Sequence, residues 1–303
     1  MPAAYLIRQY RLPAELEDDF SAALWLAGTL GVETRDTTAD ELELSAWFEL
    51  GSEEIEERDA WEARGVRFLG EHEAPNADWL ASFREQALPF PVGERFFVDP
   101  REPEDAVSEA PDGRFLLRLP ARTAFGIGSH ESTALALELV ESYLAQEPGD
   151  RLRVLDVGTG TGILCFGALI LARETGSPLA ATGFDNDPQA VFQARENARL
   201  NAGVLEGSGP ALFVGTGEAV AEGARFDLAL VNVVPEEIWP AIPGVVARLT
   251  GGGSLVFSGI LNEKGPELVR ELEGLGLVAE EILRRNEWVA FRFFKPEESA
   301  PIS

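Results

Sequence analysis

Alternating hydrophobic and polar positions in the first 70 residues predict a small unit of four strands and two helices. The strand-like runs span residues 5–10, 32–37, 42–48 and 66–69. Pro13 suits the first turn of one helix, which Gly28 ends, and Ser52 suits the cap of a second helix that reaches Arg64. The resulting order, βαββαβ, predicts a ferredoxin-like α+β domain.

From residue 115 onward the pattern changes to strands that alternate with helices. The predicted elements span residues 115–119, 132–145, 152–156, 163–173, 180–185, 188–202, 211–214, 227–232, 235–249, 254–258, 264–275, 277–283 and 287–294. Such alternation predicts an α/β fold with a mostly parallel sheet covered by helices on both faces, closed by one antiparallel hairpin strand. We therefore predict a small domain over residues 1–72, a linker with a short helix near Asp78 over residues 73–95, and a second domain over residues 96–298.

Three alternating glycines follow the strand predicted at residues 152–156. Gly158, Gly160 and Gly162 do not fit the G-x-G-x-x-G spacing of dinucleotide loops, which would place Ile163 at the last glycine position. Asp156 stands two residues before the first glycine, and a carboxylate there favours a ligand with a positive end over a pyrophosphate. The pattern D-x-G-x-G-x-G resembles motif I of S-adenosylmethionine-dependent methyltransferases.

Polar residues also end the following strands of the predicted sheet. Asp185 is placed to accept both ribose hydroxyls of an adenosine ligand, or alternatively to help cap the next helix. Thr216 is a weaker candidate for a position beside the adenine, because threonine is also common in turns. Asn232 ends the next strand and would face the methyl donor and the incoming nucleophile, unless it only caps the helix that follows.

A second distinctive segment, residues 124–133, lies upstream of the glycine loop. Phe125 and Gly126 precede a polar cluster that opens a helix, whose first backbone N–H groups could hold a carboxylate. Thr133, one turn into the helix, could add a hydroxyl group. His130 is interpreted as a solvent-facing residue near the helix cap, so the sequence indicates no general base.

Residues 125–133 are similar to the A-F-G-T-G-x-H-x-T-T segment of the ribosomal protein L11 methyltransferase family. The loop at residues 156–162, residues 185–188, Asn232 and residues 258–261 match the motifs of that family in order. The resemblance implies a Rossmann-like, seven-stranded methyltransferase sheet with S-adenosylmethionine as methyl donor. It also implies cofactor contacts at Thr133, Gly158, Asp185 and Asn232, and a small N-terminal domain that recognises the ribosomal protein.

The same resemblance implies methylation of lysine ε-amines and of the N-terminal α-amine of ribosomal protein L11. The sequence departs from the family pattern at three places: Ile127 replaces a threonine, Ser132 replaces the first of two threonines, and residues 233–235 differ from the usual Ile-Leu-Ala. The first two touch the cofactor pocket mildly. Because the last departure adjoins the acceptor amine, it bears on which substrate is used.

The formal net charge of −27 indicates which kinds of partner the protein can bind. Such a field repels nucleic acid and attracts a basic protein, although adaptation to high salt would give the same composition. One cysteine and two histidines give no metal-ligand cluster. The chain has neither a secretory signal nor an apolar run of the length that spans a membrane, so we expect a cytoplasmic protein.

Three other functions remain open from the sequence. Methylation of a glutamine amide is disfavoured, because residues 232–235 lack the N-P-P-Y pattern that such enzymes carry at this strand end. Methylation of lysine in a different protein is a second alternative. A non-catalytic module that only docks on the ribosome is the third, and cofactor binding would argue against it.

Overall fold

The computed structural model describes residues 4–29, 31–36, 41–52, 58–75, 88–120, 131–146, 151–207, 209–233 and 235–297. The chain divides into two compact units, Met1–Gln86 and Ala87–Ser303. The described part of each unit has its own β-sheet structure and its own hydrophobic core.

The first unit has the ferredoxin-like topology that the sequence predicts. Its elements are β1 (Ala4–Pro13), α1 (Glu17–Leu26), β2 (Gly31–Asp36), β3 (Glu41–Glu49), α2 (Arg58–Ala63) and β4 (Arg67–Pro75). The strands form one antiparallel sheet in the order β2-β3-β1-β4. Fully buried apolar side chains from the sheet and α1, among them Phe20, Leu44 and Phe48, make its core.

Two boundaries of this unit differ from the prediction. Pro13 ends β1, where it pairs with Glu41, and a short 3-10 turn at Ala14–Leu16 precedes α1. The prediction that Pro13 opens the helix is therefore wrong, although its fixed φ suits either position. β4 continues to Pro75, beyond the boundary predicted at residue 72. The connector helix predicted near Asp78 lies outside the described residues.

The second unit contains the predicted seven-stranded sheet. Its strands are β8 (Leu152–Val157), β9 (Leu179–Asp185), β10 (Ala211–Val214), β11 (Phe226–Asn232), β12 (Leu249–Leu261), β13 (Val278–Arg285) and β14 (Trp288–Phe294). They lie in the order β10-β9-β8-β11-β12-β14-β13. The five strands from β10 to β12 are parallel to one another, whereas β14 is antiparallel to both of its neighbours. The final hairpin is confirmed, and β14 inserts between β12 and β13.

Helices cover both faces of this sheet, as the alternation predicts. They are α3 (Glu131–Gln146), α4 (Ile163–Glu174), α5 (Pro188–Leu200), α6 (Pro235–Ile238), α7 (Ile242–Arg248) and α8 (Gly265–Gly274). One core joins α3 and α4 to the sheet, and a second joins α7 and α8 to it. Neighbours along a strand point into different cores, as Val154 and Leu155 do in β8. No described helix is both apolar enough and long enough to cross a bilayer.

Two predicted elements of the second unit are corrected. The strand predicted at residues 115–119 does not belong to the large sheet: β7 (Phe115–Arg118) joins β5 (Phe90–Val92) and β6 (Phe96–Asp99) in a separate three-stranded sheet. β5 also begins inside the predicted linker. The helix predicted at residues 235–249 is broken into α6, a 3-10 turn and α7, because Pro240 and Pro243 cannot donate backbone hydrogen bonds within a continuous helix.

Candidate active site at the carboxyl edge of the large sheet

The loop after β8 and the end of β11 lie side by side where the strand order reverses. The sheet extends through β9 and β10 on one side of β8, and through β11 and β12 on the other. In open α/β sheets, ligands bind at such a switch point, in the crevice outside the carboxyl ends of the strands. The two segments are in close contact, because a Cβ placed on Gly158 would lie 2.6 Å from Cγ2 of Val233.

Positive φ angles shape the glycine loop. Gly158, Gly160 and Gly162 have φ of +68°, +52° and +87°, in the left-handed region that favours glycine. A Cβ on Gly162 would lie 2.6 Å from Cζ of Phe166 in α4. A Cβ on Gly160, in contrast, would meet none of the described atoms within 4 Å. The backbone at Gly160 therefore borders open space, where a ligand can approach it closely.

The carboxylate of Asp156 lies behind this loop, and the residue is only 1% exposed. Its Oδ2 accepts a hydrogen bond of 2.7 Å from the hydroxyl of Thr159. Burial raises the pKa of Asp156 to about 6, and the charge of nearby Asp185 acts in the same direction. This placement favours a role in organising the turn over the predicted direct contact with a cofactor.

Asp185 ends β9 and holds two backbone segments of the site. Its Oδ2 accepts a hydrogen bond from the N–H of Gly160, and its Oδ1 accepts one from the N–H of Asp187, both at 3.0 Å. The N-cap of α5 is Asp187, whose side chain accepts from the N–H of Gln189 at 2.7 Å. Each carboxylate oxygen of Asp185 has a second lone pair, so the group retains acceptor capacity for a pair of hydroxyl groups.

Two hydrogen bonds tie the start of α3 to the ends of β11 and β12. Nδ2 of Asn232 donates to Oγ1 of Thr133 at 3.1 Å, which joins residues 99 positions apart. Oγ of Ser258, paired with Asn232 in the sheet, donates to the carbonyl of Ser132 at 2.8 Å. The structure therefore brings together two of the predicted site residues, Thr133 and Asn232, at the switch point.

The remaining amide oxygen of Asn232 faces Gly259. Because Nδ2 donates to Thr133, Oδ1 is left as the acceptor end of the amide. A Cβ on Gly259 would lie 3.2 Å from this Oδ1, and Gly259 has a φ of +83°. A side chain at this position would crowd the amide oxygen, and the site presents a fixed hydrogen-bond acceptor next to the glycine loop.

Comparison with known proteins identifies the family. The sequence model of the family described as ribosomal protein L11 methyltransferase matches residues 33–296. The chain belongs to this family. A relative of that name from Trichlorobacter lovleyi is 35% identical over 227 residues, which cover 74% of this chain and 68% of the relative. Another from Brucella suis is 33% identical over 250 residues, which cover 82% of this chain and 83% of the relative.

A solved structure supports the same assignment. The crystal structure described as ribosomal protein L11 methylase from Lactobacillus delbrueckii subsp. bulgaricus matches with a TM-score of 0.58 and 25% identity, and covers 69% of this chain and 99% of that chain. The methyltransferase family and its S-adenosylmethionine dependence, both expected from the sequence motifs, are thereby confirmed.

The other residues predicted for this methyltransferase site have different placements. Thr216 is exposed after β10, before a 3-10 turn at Gly217–Ala219. Near it, the rings of Phe184 and Phe213 are stacked with centroids 5.6 Å apart. Phe125 and Gly126, together with His130, lie outside the described residues.

Sequence reasoning missed three buried polar residues of α5, one of which bonds to the glycine loop. Gln193, Asn197 and Asn201, on α5 and at its C-terminal end, are at most 5% exposed. Their four-residue spacing on one face of a predicted helix was a usable signal, because buried amides require hydrogen-bond partners. Ser258 was noticed only as part of a family motif, although its hydroxyl links β12 to α3.

Proposed function

We propose that this chain transfers methyl groups from S-adenosylmethionine to amino groups of ribosomal protein L11, namely lysine ε-amines and the N-terminal α-amine. The observation that carries the proposal is the hydrogen bond between Asn232 and Thr133, next to the glycine loop at the switch point, in a chain of this family. The relatives named above carry this substrate in their names.

The residues present fit the methyl donor. The backbone of Gly158 and Gly160 would pass under it, because the face of Gly160 is open. The carboxylate of Asp185 would accept the ribose hydroxyls, and Thr216 would lie beside the adenine. Thr133 and Asn232 would border the methionine part, to which Phe125 and Gly126 would add contacts. When bound, S-adenosylmethionine supplies a methyl group that is activated by the positive charge on its sulfur.

The protein groups would act mainly by positioning the acceptor amine. A lysine amine with a reference pKa of about 10.4 must lose its proton before it can attack. Oδ1 of Asn232 would accept a hydrogen bond from the neutral amine and direct its lone pair toward the methyl carbon. Thr133 fixes the amide in this orientation, and the absence of a side chain at Gly259 keeps a Cβ from crowding Oδ1. Orientation of this kind lowers the entropic part of the barrier.

Charge and domain organisation support a basic protein as the substrate. The net charge of −27 attracts cationic partners and repels nucleic acid, so direct binding of naked RNA forms no part of the proposal. We assign recognition of the ribosomal protein to the small domain at residues 1–72 and methyl transfer to residues 96–298. The reaction is assigned to the cytoplasm, without a membrane partner.

The test uses the purified full chain, labelled S-adenosylmethionine and separately purified large-subunit ribosomal proteins. We expect label on L11, with mass spectrometry locating it on lysine side chains and on the N-terminal amine. Label on another protein, with none on L11, would show that the substrate is a different protein. Absence of both label and cofactor binding by calorimetry would leave only the non-catalytic docking module.

A further inference from the structure

Helix α5 buries amides on the face where an amphipathic helix normally buries apolar side chains. Gln193, Asn197 and Asn201 are 5%, 1% and 1% exposed, whereas Phe192 on the same helix is 64% exposed. Burying an amide is costly unless its polar atoms are hydrogen-bonded. The bonds that these three side chains make therefore indicate what the amide face of α5 holds in place.

Each of these side chains donates to a backbone carbonyl outside the helix. Nε2 of Gln193 donates to the carbonyl of Pro120 at 3.1 Å, and Nδ2 of Asn197 donates to the carbonyl of Thr161 at 3.0 Å. Asn201 pairs with both backbone groups of Arg118: its Oδ1 accepts from the N–H at 2.9 Å, and its Nδ2 donates to the carbonyl at 2.8 Å. The amide face thus binds two separate backbone segments.

One of these two segments, the glycine loop, is part of the proposed cofactor site. Thr161 lies in the glycine loop between Gly160 and Gly162, and its residue is 2% exposed. Residues 118–120, at and just after the end of β7, stand in the sequence shortly before residues 124–133, to which the family resemblance assigns cofactor contacts. The side chains of α5 hold these segments at fixed positions relative to each other, although none of the three amides lies among the predicted cofactor contacts.

We propose that Gln193, Asn197 and Asn201 are positioning residues, which set the distance between the glycine loop and the end of β7 and thereby the affinity for the methyl donor. The effect on affinity for the methyl donor rests on the proposed function. Loss of the Asn197 amide leaves the buried carbonyl of Thr161 without this donor, and the loop would relax from the conformation that the ligand requires.

The experiment compares Asn197→Leu with Tyr143→Phe in the full chain. Both variants remove a side-chain hydrogen bond to a backbone carbonyl, but Tyr143 donates to the part-buried carbonyl of Asp227 at 3.2 Å, at the opposite end of β11 from Asn232. We expect Asn197→Leu to weaken S-adenosylmethionine binding by about tenfold. Tyr143→Phe should lower the melting temperature without changing that affinity.

Amide hydrogen exchange gives a second readout that requires no ligand. Exchange at Gly160 and Gly162 should accelerate in Asn197→Leu and stay unchanged in Tyr143→Phe, as expected if Asn197 holds the loop. Equal melting losses, with unchanged affinity and unchanged loop exchange, would reduce Asn197 to an ordinary stabilising residue and overturn the proposal. If the wild-type chain bound no S-adenosylmethionine, the proposed function would fail, and loop exchange alone would still decide the positioning role.

A second pair of variants covers the case in which Asn197→Leu does not fold. Gln193→Leu removes the bond to the Pro120 carbonyl, and Gln189→Leu makes the same substitution at an exposed position one turn earlier in α5. We expect weaker cofactor binding for Gln193→Leu and wild-type binding for Gln189→Leu. Equal affinity of these two variants would contradict the positioning role.

Discussion

The buried carboxylate of Asp156 should make the larger unit less stable as the pH rises. Burial raises its pKa to about 6 in the folded chain, from the reference value of 3.8. Between these two values the folded state binds more protons than the unfolded state, so the free energy of unfolding falls with increasing pH. This loss of stability is absent at pH values below the pKa of the unfolded state and complete at pH values above the pKa of the folded state.

The magnitude follows from the size of the shift. A shift of about 2 units, at about 1.4 kcal/mol per unit, corresponds to about 3 kcal/mol lost across this pH range. The variant Asp156→Asn removes the titration, while its Oδ1 can still accept from the hydroxyl of Thr159. The amide changes the absolute stability by an amount that does not depend on pH, so the difference in slope between wild type and variant isolates the carboxylate.

Hydrogen exchange of protected amides in β8 measures the opening free energy of this unit in the full chain. Relative to Asp156→Asn, the opening free energy of the wild type should fall by most of the expected ~3 kcal/mol as the pH rises from about 4 to about 6.5. Asp99→Asn is a control of opposite sign. Burial alone would raise the pKa of Asp99, but hydrogen bonds from Arg101 and the Val107 N–H outweigh it and lower the pKa. Parallel pH curves for wild type and Asp156→Asn would refute the reasoning.

Three further outcomes test the site. Gly158→Ala should lower the stability by about 1–3 kcal/mol and weaken cofactor binding, because the added methyl group clashes with Val233 and the backbone has a positive φ. Gly176→Ala is the control in a melting assay: its φ is +74° and its Cβ would meet no described atom, so it reports the backbone strain alone. Asp185→Asn should weaken S-adenosylmethionine binding about tenfold by calorimetry, while Asp187→Asn should retain the helix cap and bind normally. Asn232→Ala should lower kcat about 100-fold, by more than it weakens cofactor binding; a matching loss in both would argue against amine orientation.

The sequence predicted elements and chemistry well where the signal was local. Alternation and helical spacing gave the ferredoxin-like order, most boundaries of the large sheet and the final hairpin. The helix predicted at 235–249 was too long because its apolar spacing continued through Pro240 and Pro243, although the missing donors of both prolines were visible in the sequence. The glycine loop could be predicted because its residue types are required by its own backbone angles.

Partners distant along the chain were decided only by the tertiary structure. The strand at Phe115–Arg118 was recognised as a strand, but periodicity does not specify which strand it pairs with, and it joined β5 and β6 instead of the large sheet. Likewise, the sequence identified Asn232 and Thr133 as polar residues at element ends, and only the sheet order brought them to 3.1 Å. The partners of the α5 amides could likewise be seen only in the structure. A hydrogen bond depends on where two groups lie in space, whereas hydrophobic spacing indicates only which face of an element is buried.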